Sequence, residues 1–452
     1  MPKKKTALTI EERLQQALVP AEKQPYEVPE NWVWVRLESV ASWGSGGTPS
    51  RKHEEYYNGD ILWIKTGELN NGWIYDTEEK ITDEGLKKSS AKLFPPYSVL
   101  IAMYGATIGK VAILGVPATT NQACACAVCN QSLLYMYLFY YCISQKNVFI
   151  EKGKGGAQPN ISQIILKQHP IPLPPLSEQQ RIVERIEELF AKLDEAKERL
   201  QEVADSFAVR KAAILHKAFT GELTKQWRRE NGVSDESWEE SNFGKFTVSQ
   251  YGYTEKAHWE KVGPKFLRIT DIQDNKVNWD EVPWCPIDEA GMKQYAVQIG
   301  DIMIARTGAT TGKSYLICDD VEAVFASFLI RLKVVDKNLD YNYLYGYMQS
   351  EDYWRQITDF SSGIAQPGVN ANKLKQIKFK CPSLPEQHEI VRLIDELLAR
   401  ERAAQQAAEQ ALASIDLMKK SILARDFRGE LGTNKASEAS ALELLRQVLA
   451  EN

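Results

Sequence analysis

The sequence predicts an α+β fold in which two mixed α/β domains are separated by a pair of long antiparallel coiled-coil helices, with a pseudo-twofold internal repeat. Three observations predict this fold. The chain contains a long internal repeat, each copy of the repeat ends in a heptad pattern, and short strand-like runs alternate with Gly, Asn and Asp turns before each heptad pattern.

The repeat covers most of the chain. Ala157-Gln158-Pro159 returns as Ala365-Gln366-Pro367, 208 positions later, and the same offset relates Phe219-Thr220-Gly221-Glu222-Leu223 to Phe427-Arg428-Gly429-Glu430-Leu431. Upstream, Gly105–Lys110 returns as Gly308–Lys313, 203 positions later. Because solenoid units run roughly 20 to 50 residues, a period this long indicates two whole domains, each followed by a long helix.

Apolar residues spaced alternately four and three positions apart predict the two helices. The first series is Ile182, Ile186, Leu189, Leu193, Ala196, Leu200, Val203 and Phe207, and the second is Ile390, Ile394, Leu397, Glu401, Ala404, Ala408, Ala411 and Ile415. Ser177 with Gln180 forms a candidate capping box at the first helix start. Each helix of about 42 residues would be a rod of roughly 60 Å. After building the second domain, the chain must run back along a rod of equal length, which predicts antiparallel packing of the two helices. Two amphipathic helices, each lying on its own domain, remain the alternative.

These features divide the chain into seven segments. The predicted boundaries are an N-terminal amphipathic segment (1–30), the first domain (31–175), the first spacer helix (176–220), a linker (221–244), the second domain (245–383), the second spacer helix (384–427) and a C-terminal tail (428–452). Within them, 9–18 and 439–449 read as short amphipathic helices whose partners the pattern does not identify.

Composition limits the possible classes of protein. The 452 residues carry a net charge of −5, and no apolar run approaches the roughly 20 residues of a membrane-spanning helix. Without such a run we expect no membrane partner. The seven cysteines have no framework spacing, which favours a reducing, cytoplasmic location. Net negative charge argues against a nonspecific DNA-coating protein, but it does not exclude a local DNA-binding face.

The motifs that suggest catalysis are incomplete. Phe94-Pro95-Pro96-Tyr97 resembles the Pro-Pro-Tyr signature of amino-methyltransferases, but Phe94 cannot accept the hydrogen bond that the target amine would donate, so a turn before a strand is favoured. Gly312-Lys313-Ser314 lacks the first glycine of a phosphate-binding loop, since position 307 is Thr. Cys124, Cys126 and Cys129 do not have zinc-site spacing. We therefore expect no catalytic residues and no metal.

Taken together, several motifs resemble the DNA-specificity subunit of type I restriction-modification systems. They are Pro29-x-x-Trp-x-Trp-Val-x-Leu37, Ser45-Gly-Gly-Thr-Pro49, the two Gly-Ala-Thr-x-Gly-Lys turns, the two Ala-Gln-Pro segments, Leu-x-Glu-Gln before each heptad helix, and Phe-x-Gly-Glu-Leu after it. The second copy departs from the pattern, because it lacks the Trp-rich entry and the Ser-Gly-Gly-Thr-Pro loop. The two domains should therefore read different bases.

The resemblance implies a sequence-specific, non-catalytic subunit whose two target-recognition domains read an asymmetric bipartite site in double-stranded DNA. It also implies that the helical rod docks two modification (methyltransferase) subunits and that restriction (motor-nuclease) subunits complete the assembly. This chain would bind no cofactor, and the complex would use S-adenosylmethionine, ATP and magnesium. A self-sufficient adenine-N6 DNA methyltransferase and a coiled-coil scaffold linking two protein-binding domains are the alternative functions.

The candidate DNA contacts are polar and cationic residues of loops and turns, because backbone and Lys groups suit phosphate while Arg, Gln, Asn and Thr suit base edges. They are Thr48, Arg51, Lys52, Lys65, Thr107, Lys110, Lys154, Gln158 and Asn160 in the first domain, and Tyr251, Tyr253, Arg268, Thr270, Arg306, Thr310, Lys313, Gln366 and Asn370 in the second.

Overall fold

A computed structural model describes residues 8–153, 159–273, 275–361 and 368–451. The chain divides into two compact units. The first unit comprises Met1–Arg199 and Ala411–Asn452, and the second comprises Leu200–Gln410. Each unit is mixed α and β, as the sequence predicts.

The described helices range from four to 43 residues in length. Their bounds are α1 (Ile10–Ala17), α2 (Leu37–Val40), α3 (Asp83–Lys87), α4 (Tyr135–Ser144), α5 (Lys146–Lys152), α6 (Gln163–Lys167), α7 (Leu176–Asp205), α8 (Phe207–Phe219), α9 (Lys225–Glu230), α10 (Phe243–Phe246), α11 (Glu289–Tyr295), α12 (Tyr341–Tyr347), α13 (Glu351–Ser361), α14 (Ala371–Lys375), α15 (Leu384–Asp426) and α16 (Ala441–Glu451).

The strands are short, from two to eight residues. Their bounds are β1 (Val33–Arg36), β2 (Ala41–Ser45), β3 (Tyr57–Ile64), β4 (Trp73–Ile74), β5 (Lys80–Ile81), β6 (Val99–Ala102), β7 (Val111–Leu114), β8 (Thr119–Thr120), β9 (Cys124–Cys129), β10 (Pro170–Leu173), β11 (Glu239–Asn242), β12 (Thr247–Tyr251), β13 (Lys265–Leu267), β14 (Ile272–Gln273), β15 (Lys276–Val277), β16 (Ile302–Ala305), β17 (Ser314–Leu316), β18 (Ala323–Phe325), β19 (Leu329–Val334) and β20 (Lys378–Cys381).

The first unit is built on a five-stranded sheet of order β2-β9-β6-β7-β4, with a three-stranded sheet β5-β3-β8 and an antiparallel pair β1-β10. Its β6 and β7 are buried at every position, so both faces of this hairpin are covered. The core joins the sheet and α4 to residues of α7, α15 and α16. The terminal helices also contact each other, since Arg446 pairs with Glu11 at 3.3 Å and Arg13 donates to the Leu449 carbonyl at 3.2 Å.

The second unit repeats this plan with a smaller sheet. A four-stranded sheet of order β12-β19-β16-β17 is accompanied by the pairs β13-β18, β14-β15 and β11-β20. Strands β11 and β20 pair antiparallel, as β1 and β10 do in the first unit. The core joins this sheet and α12 to residues of α8 and the start of α15.

Within the first unit, the end of α15 packs on the first half of α7. Leu423 and Phe427 share a core with Ile182 and Ile186, and Lys419 pairs with Asp194 at 2.6 Å. Residues later in α7 thus meet residues earlier in α15, so the two segments run antiparallel here.

Within the second unit, α8 packs in the same way on the start of α15. Phe219 and Leu215 share a core with Ile390 and Ile394, and Arg210 forms an ion pair with Glu401.

The predicted seam positions of both long segments are buried or half-buried except Val203 and Ala404, which are exposed. The heptad prediction is wrong at these two positions.

Three local predictions need correction. The first long helix begins at Leu176, directly after Pro175, so Ser177 lies inside the helix and no capping box forms. This helix is interrupted at Ser206 between α7 and α8. The predicted linker 221–244 is folded, since it contains α9, with Arg228 buried, and strand β11.

Candidate nucleic-acid interface

In the first unit, Arg51 and Lys65 converge on one carboxylate. The Arg51 Nη1 atom lies 2.7 Å from Glu79 Oε2, and the Lys65 Nζ atom lies 2.9 Å from Glu79 Oε1. The Arg51 guanidinium also lies 4.4 Å from the Tyr57 ring centroid and 5.1 Å from that of Trp63. Arg51, Tyr57 and Glu79 help to line an open pocket of about 340 Å³. The guanidinium is therefore held in a defined place while remaining 56% exposed.

The charges of this cluster reinforce each other. The hydrogen bonds that Arg51 and Lys65 donate to Glu79 raise the pKa of each cation, and the same two bonds, that of Arg51 first, lower the pKa of Glu79. All three groups are charged near neutral pH. A guanidinium fixed by a carboxylate and an aromatic face has lost much of its rotamer freedom before it meets a base edge, which suits bidentate recognition.

In the second unit, Arg268 occupies the position of Lys65. Each residue precedes a 3₁₀ turn, Thr66–Glu68 or Ile269–Asp271, and its backbone N–H donates to the carboxylate three residues later, at 2.7 Å for Lys65 and 2.8 Å for Arg268. The Arg268 side chain pairs with Asp271 at 2.6 Å and lies 5.6 Å from the Trp259 ring centroid. The hydrogen bonds that Arg268 donates to the Asp271 carboxylate raise the pKa of Arg268. The 3₁₀ turn and its carboxylate thus recur in both units, but the cation before the turn is lysine in the first unit and arginine in the second.

The two Gly-Ala-Thr-x-Gly-Lys segments form the predicted tight turns, between β6 and β7 and between β16 and β17. Gly105, Gly109, Gly308 and Gly312 all have positive φ, which favours glycine at these positions. The N–H of Lys110 donates to the Thr107 carbonyl and that of Lys313 to the Thr310 carbonyl, both at 2.9 Å. Since these amides are already engaged, contact with an anion would fall mainly to side chains.

Both turns are tied to the segment that follows Ala-Gln-Pro. Tyr104 forms a β-bridge with Asn160, and Thr307 forms one with Gly368. In the second unit Arg306 stacks on Tyr251 at 4.9 Å, and the Tyr251 hydroxyl accepts the Ala371 N–H at 3.2 Å. Next to it, Asn370 caps α14 by accepting the Lys373 N–H. The structure thus groups Tyr251, Arg306 and Asn370.

The remaining candidates are dispersed. Lys52, Thr270 and Thr310 are exposed, Thr48 is exposed and hydrogen-bonded to Gln122, and Tyr253 is half-buried against Tyr295. Lys154, Gln158 and Gln366 lie outside the described residues.

Sequence reasoning missed the acidic partners Glu79 and Asp271, which no periodicity marks. It also missed Trp238. Its indole N–H donates to buried Glu386 at 3.0 Å, as that of Trp32 donates to buried Glu178 at 2.7 Å. The second copy therefore has a tryptophan entry, contrary to the prediction; the signal was the 206-residue offset between the two tryptophans.

The other motifs have structural roles in the described part of the chain. Phe94 is buried and bridged to Ala118 in the turn before β6, as predicted. Cys124 and Cys126 are buried strand residues, and no group of three or more His, Cys, Asp or Glu side chains in the described ranges is placed to hold a metal ion. Among the same residues no helix is long and apolar enough to cross a membrane.

Two related α/β units that present polar loops on a repeated scaffold are typical of a recognition protein with two binding domains. The profile of the family described as Type I restriction modification DNA specificity domain matches residues 29–205 and 237–411. The chain therefore belongs to this family, and its role is that of a non-catalytic specificity subunit.

Relatives agree over nearly the full length. The chain is 25% identical over 450 residues to the EcoKI specificity subunit of Escherichia coli K12, covering 94% of this chain and 96% of that protein. It is 25% identical over 452 residues to the StySPI specificity subunit of Salmonella potsdam, with the same coverages. The crystal structure of the HsdS subunit from Thermoanaerobacter tengcongensis has the same fold, with a TM-score of 0.66 at 19% identity over 90% of this chain and all of that one.

Proposed function

We propose that the chain reads a bipartite, asymmetric DNA target, one half with each unit, for a type I restriction-modification complex. One observation carries the proposal. The same 3₁₀ turn and carboxylate present Lys65 in one unit and Arg268 in the other, so a repeated scaffold offers unlike side chains. Lysine contacts phosphate as a point charge, whereas arginine can read guanine bidentately. Unlike reading groups imply unlike half-sites.

In this proposal α7, α8 and α15 form an antiparallel coiled coil with pseudo-twofold symmetry that spaces the two readers. Support comes from the matching cores of the two units, where Phe219 shares a core with Ile394 in one and Phe427 shares a core with Ile186 in the other. If the centres of the two half-sites lie about one turn of the DNA helix apart, roughly 34 Å, both units would approach the same face of the duplex. The length of the coiled coil would set the number of unread base pairs between the half-sites.

The proposed DNA contacts are the exposed or half-exposed groups of the two clusters and turns. Arg51, Arg268 and Arg306 would discriminate bases, because each is held against an aromatic ring. Lys52, Lys110 and Lys313 would position the duplex through phosphates. Lys154, Gln158 and Gln366 stay in the candidate set on the sequence alone.

The catalytic steps would belong to partners. Modification subunits would supply methyl transfer from S-adenosylmethionine, and restriction subunits would use ATP and magnesium, while this chain binds none of these cofactors. The assembly would work in the cytoplasm. The scaffold alternative does not account for the match of both units to a DNA specificity family, and the methyltransferase alternative loses its one motif, because Phe94 is buried.

Mapping methylated adenines in the host genome with and without this chain tests the proposal. We expect methylation at a two-part sequence with an unread gap that disappears when the chain is removed. Methylation by the purified chain alone, or an unchanged methylation pattern without it, would contradict the proposal.

A further inference from the structure

Four aromatic side chains of the first unit form an exposed cluster, here called the aromatic platform: Trp73, Tyr75, Tyr97 and Tyr135. Trp73 stacks with Tyr75 and contacts Tyr97 and Tyr135 edge-on, with centroid distances of 5.9–6.1 Å, and Tyr97 lies 5.0 Å from Tyr135. Trp73, Tyr75 and Tyr97 are 37%, 63% and 57% exposed. A cluster of large rings left in water in this way is typical of an interaction surface.

Tyr97 is held in the platform at a conformational cost. Its φ is +67°, in the left-handed region that a bulky residue seldom occupies. Gly300 is the corresponding residue of the second unit, since the Tyr97 N–H donates to the Leu114 carbonyl and the Gly300 N–H to the Ile317 carbonyl, an offset of 203 in both partners. Gly300 has φ +91° without this cost. The turn favours glycine, yet the first unit presents a tyrosine there.

The second unit has no such cluster at the equivalent positions. Lys276 and Asn278 stand where the first unit has Trp73 and Tyr75, and Gly300 stands for Tyr97. Only Tyr341, the counterpart of Tyr135, retains a ring. The platform is therefore not a requirement of the shared scaffold.

The position of the platform separates it from the candidate DNA contacts of the hairpin. Tyr97 lies at one end of the β6–β7 hairpin, and the Gly105–Lys110 turn lies at the other. The platform instead borders α7, where exposed Glu187 acts on Tyr135 to raise the pKa of its hydroxyl, after the larger effects of burial and of Tyr97. A neighbouring carboxylate disfavours phosphate, and the stacked bases of a duplex do not offer their faces to rings.

We propose that the aromatic platform with Glu187 is a docking surface for a protein partner that presents arginine or lysine side chains, namely one modification subunit of the assembly. Cationic side chains stack well on Trp and Tyr, and Glu187 supplies the complementary charge. This inference rests on the proposed function, because that function supplies the partner. Since the second unit lacks the platform, a modification subunit bound there would not depend on it.

The test uses the full chain with its cognate modification subunit, and variants Tyr97→Gly, Trp73→Ala and Glu187→Lys. Tyr97→Gly introduces the residue that the second unit has at this turn, so its thermal midpoint should equal or exceed that of the parent chain. We expect each variant to weaken one of the two modification-subunit binding steps by about tenfold or more and to leave the other unchanged. Phe328→Ser, which removes an exposed ring of the second unit, is the control that should change neither step.

Unchanged binding in Tyr97→Gly and Trp73→Ala would overturn the inference. So would normal subunit binding combined with weaker DNA binding, since the platform would then contact DNA. Specific DNA binding by the assembly of the parent chain is measured in parallel. If that binding is absent, the proposed function fails, whereas a loss confined to platform variants concerns this surface alone.

Discussion

At the residue scale, the Leu-x-Glu-Gln motif is explained by two buried side chains in each unit. Gln179 accepts the Leu134 N–H and donates to the Ser132 and Pro174 carbonyls. Gln387 accepts the Asp340 N–H and donates to the Asn338 and Pro382 carbonyls. Each glutamine thus fastens the loop before a domain helix to the start of a long helix.

The glutamates of the motif differ in their partners, and this difference gives a prediction. Glu386 accepts from Arg228 and Thr224, both at 2.7 Å, whereas Glu178 accepts from Trp32 and Asn434 and forms no direct arginine bond among the described residues. Glu386→Gln should lower the free energy of unfolding by about 3 kcal/mol, because it leaves a buried guanidinium undercompensated. Glu178→Gln should cost about 1 kcal/mol. Urea unfolding measures both, and equal losses would contradict the assignment.

Asp426 predicts a pH dependence of stability. It is fully buried in the first unit, neither carboxyl oxygen accepts a hydrogen bond from a described residue, and burial raises its pKa to about 7, against the opposing effects of Arg185 and Arg425. The folded chain therefore holds a proton that the unfolded chain releases near pH 4. Stability should fall as pH rises from about 4 to about 7 and then level off.

Asp426→Ala tests this dependence, because the first copy has buried Ala218 at the same position. At pH 8 the variant should be more stable than the parent by about 2 to 4 kcal/mol, and the difference should shrink towards pH 5. Asp416→Ala, an exposed change on the same helix, is the control. Thermal midpoints across this pH range measure the effect, and a pH-independent difference would refute it.

Arg51 and Lys52 are adjacent residues with different expected roles in DNA binding. Arg51 is held by Glu79 and Tyr57, whereas Lys52 is exposed. Arg51→Ala should relax base discrimination by about 1 to 3 kcal/mol at one position, and Lys52→Ala should weaken binding evenly across sequences and reduce the salt dependence. Competition binding by the assembled complex at two salt concentrations separates these effects. Identical behaviour of the two variants would argue against an anchored reading arginine.

Sequence patterns identified candidate cations but not the residues that pair with them. The cations Arg51 and Lys65 were candidates from their loops, yet their convergence on Glu79 depends on the packing of β3 and β5, which no local pattern contains. Trp238 was overlooked because its neighbours differ from those of Trp32, although both donate to a buried glutamate.

At the element scale, the Phe-x-Gly-Glu-Leu motif anchors a long helix to a domain core. Phe427 lies edge-on to Tyr137 and Tyr141, at 5.2 and 5.1 Å, in the first unit. Phe219 lies edge-on to Tyr343 and Tyr347, both at 5.4 Å, in the second. Each copy's terminal phenylalanine therefore enters the core that the other copy's domain provides.

Phe427→Ala should destabilise the chain by about 3 to 5 kcal/mol, since it removes a buried ring between two tyrosines. Leu417→Ala, an exposed apolar change on the same helix, should cost well under 1 kcal/mol. Chemical denaturation compares the two. A small loss for Phe427→Ala would show that the ring does not anchor the helix.

Elements were more predictable than contacts. The heptads predicted α7 and α15, and the predicted terminal helices are α1 and α16. The heptad period indicates neither the break at Ser206 nor the contact of α1 with α16.

At the scale of the whole molecule, duplication gives one chain two units that share a scaffold and differ in their exposed side chains. The strand pairs β1-β10 and β11-β20, the buried Glu-Gln pairs and the phenylalanine anchors recur in both units. The cation before the 3₁₀ turn differs, being Lys65 in the first unit and Arg268 in the second, and the aromatic platform is not repeated at the equivalent positions. Conserving the scaffold leaves the exposed loops free to differ. Under the proposed function, stability and specificity would then depend on separate residues.

The most direct test maps methylated target sites in cells that express the parent chain, Arg51→Ala or Arg268→Ala with the cognate partner subunits. We expect Arg51→Ala to relax only one half of the target and Arg268→Ala only the other, with the gap between the halves unchanged. A continuous target, or relaxation of both halves by either variant, would contradict the claim that each unit reads its own half-site.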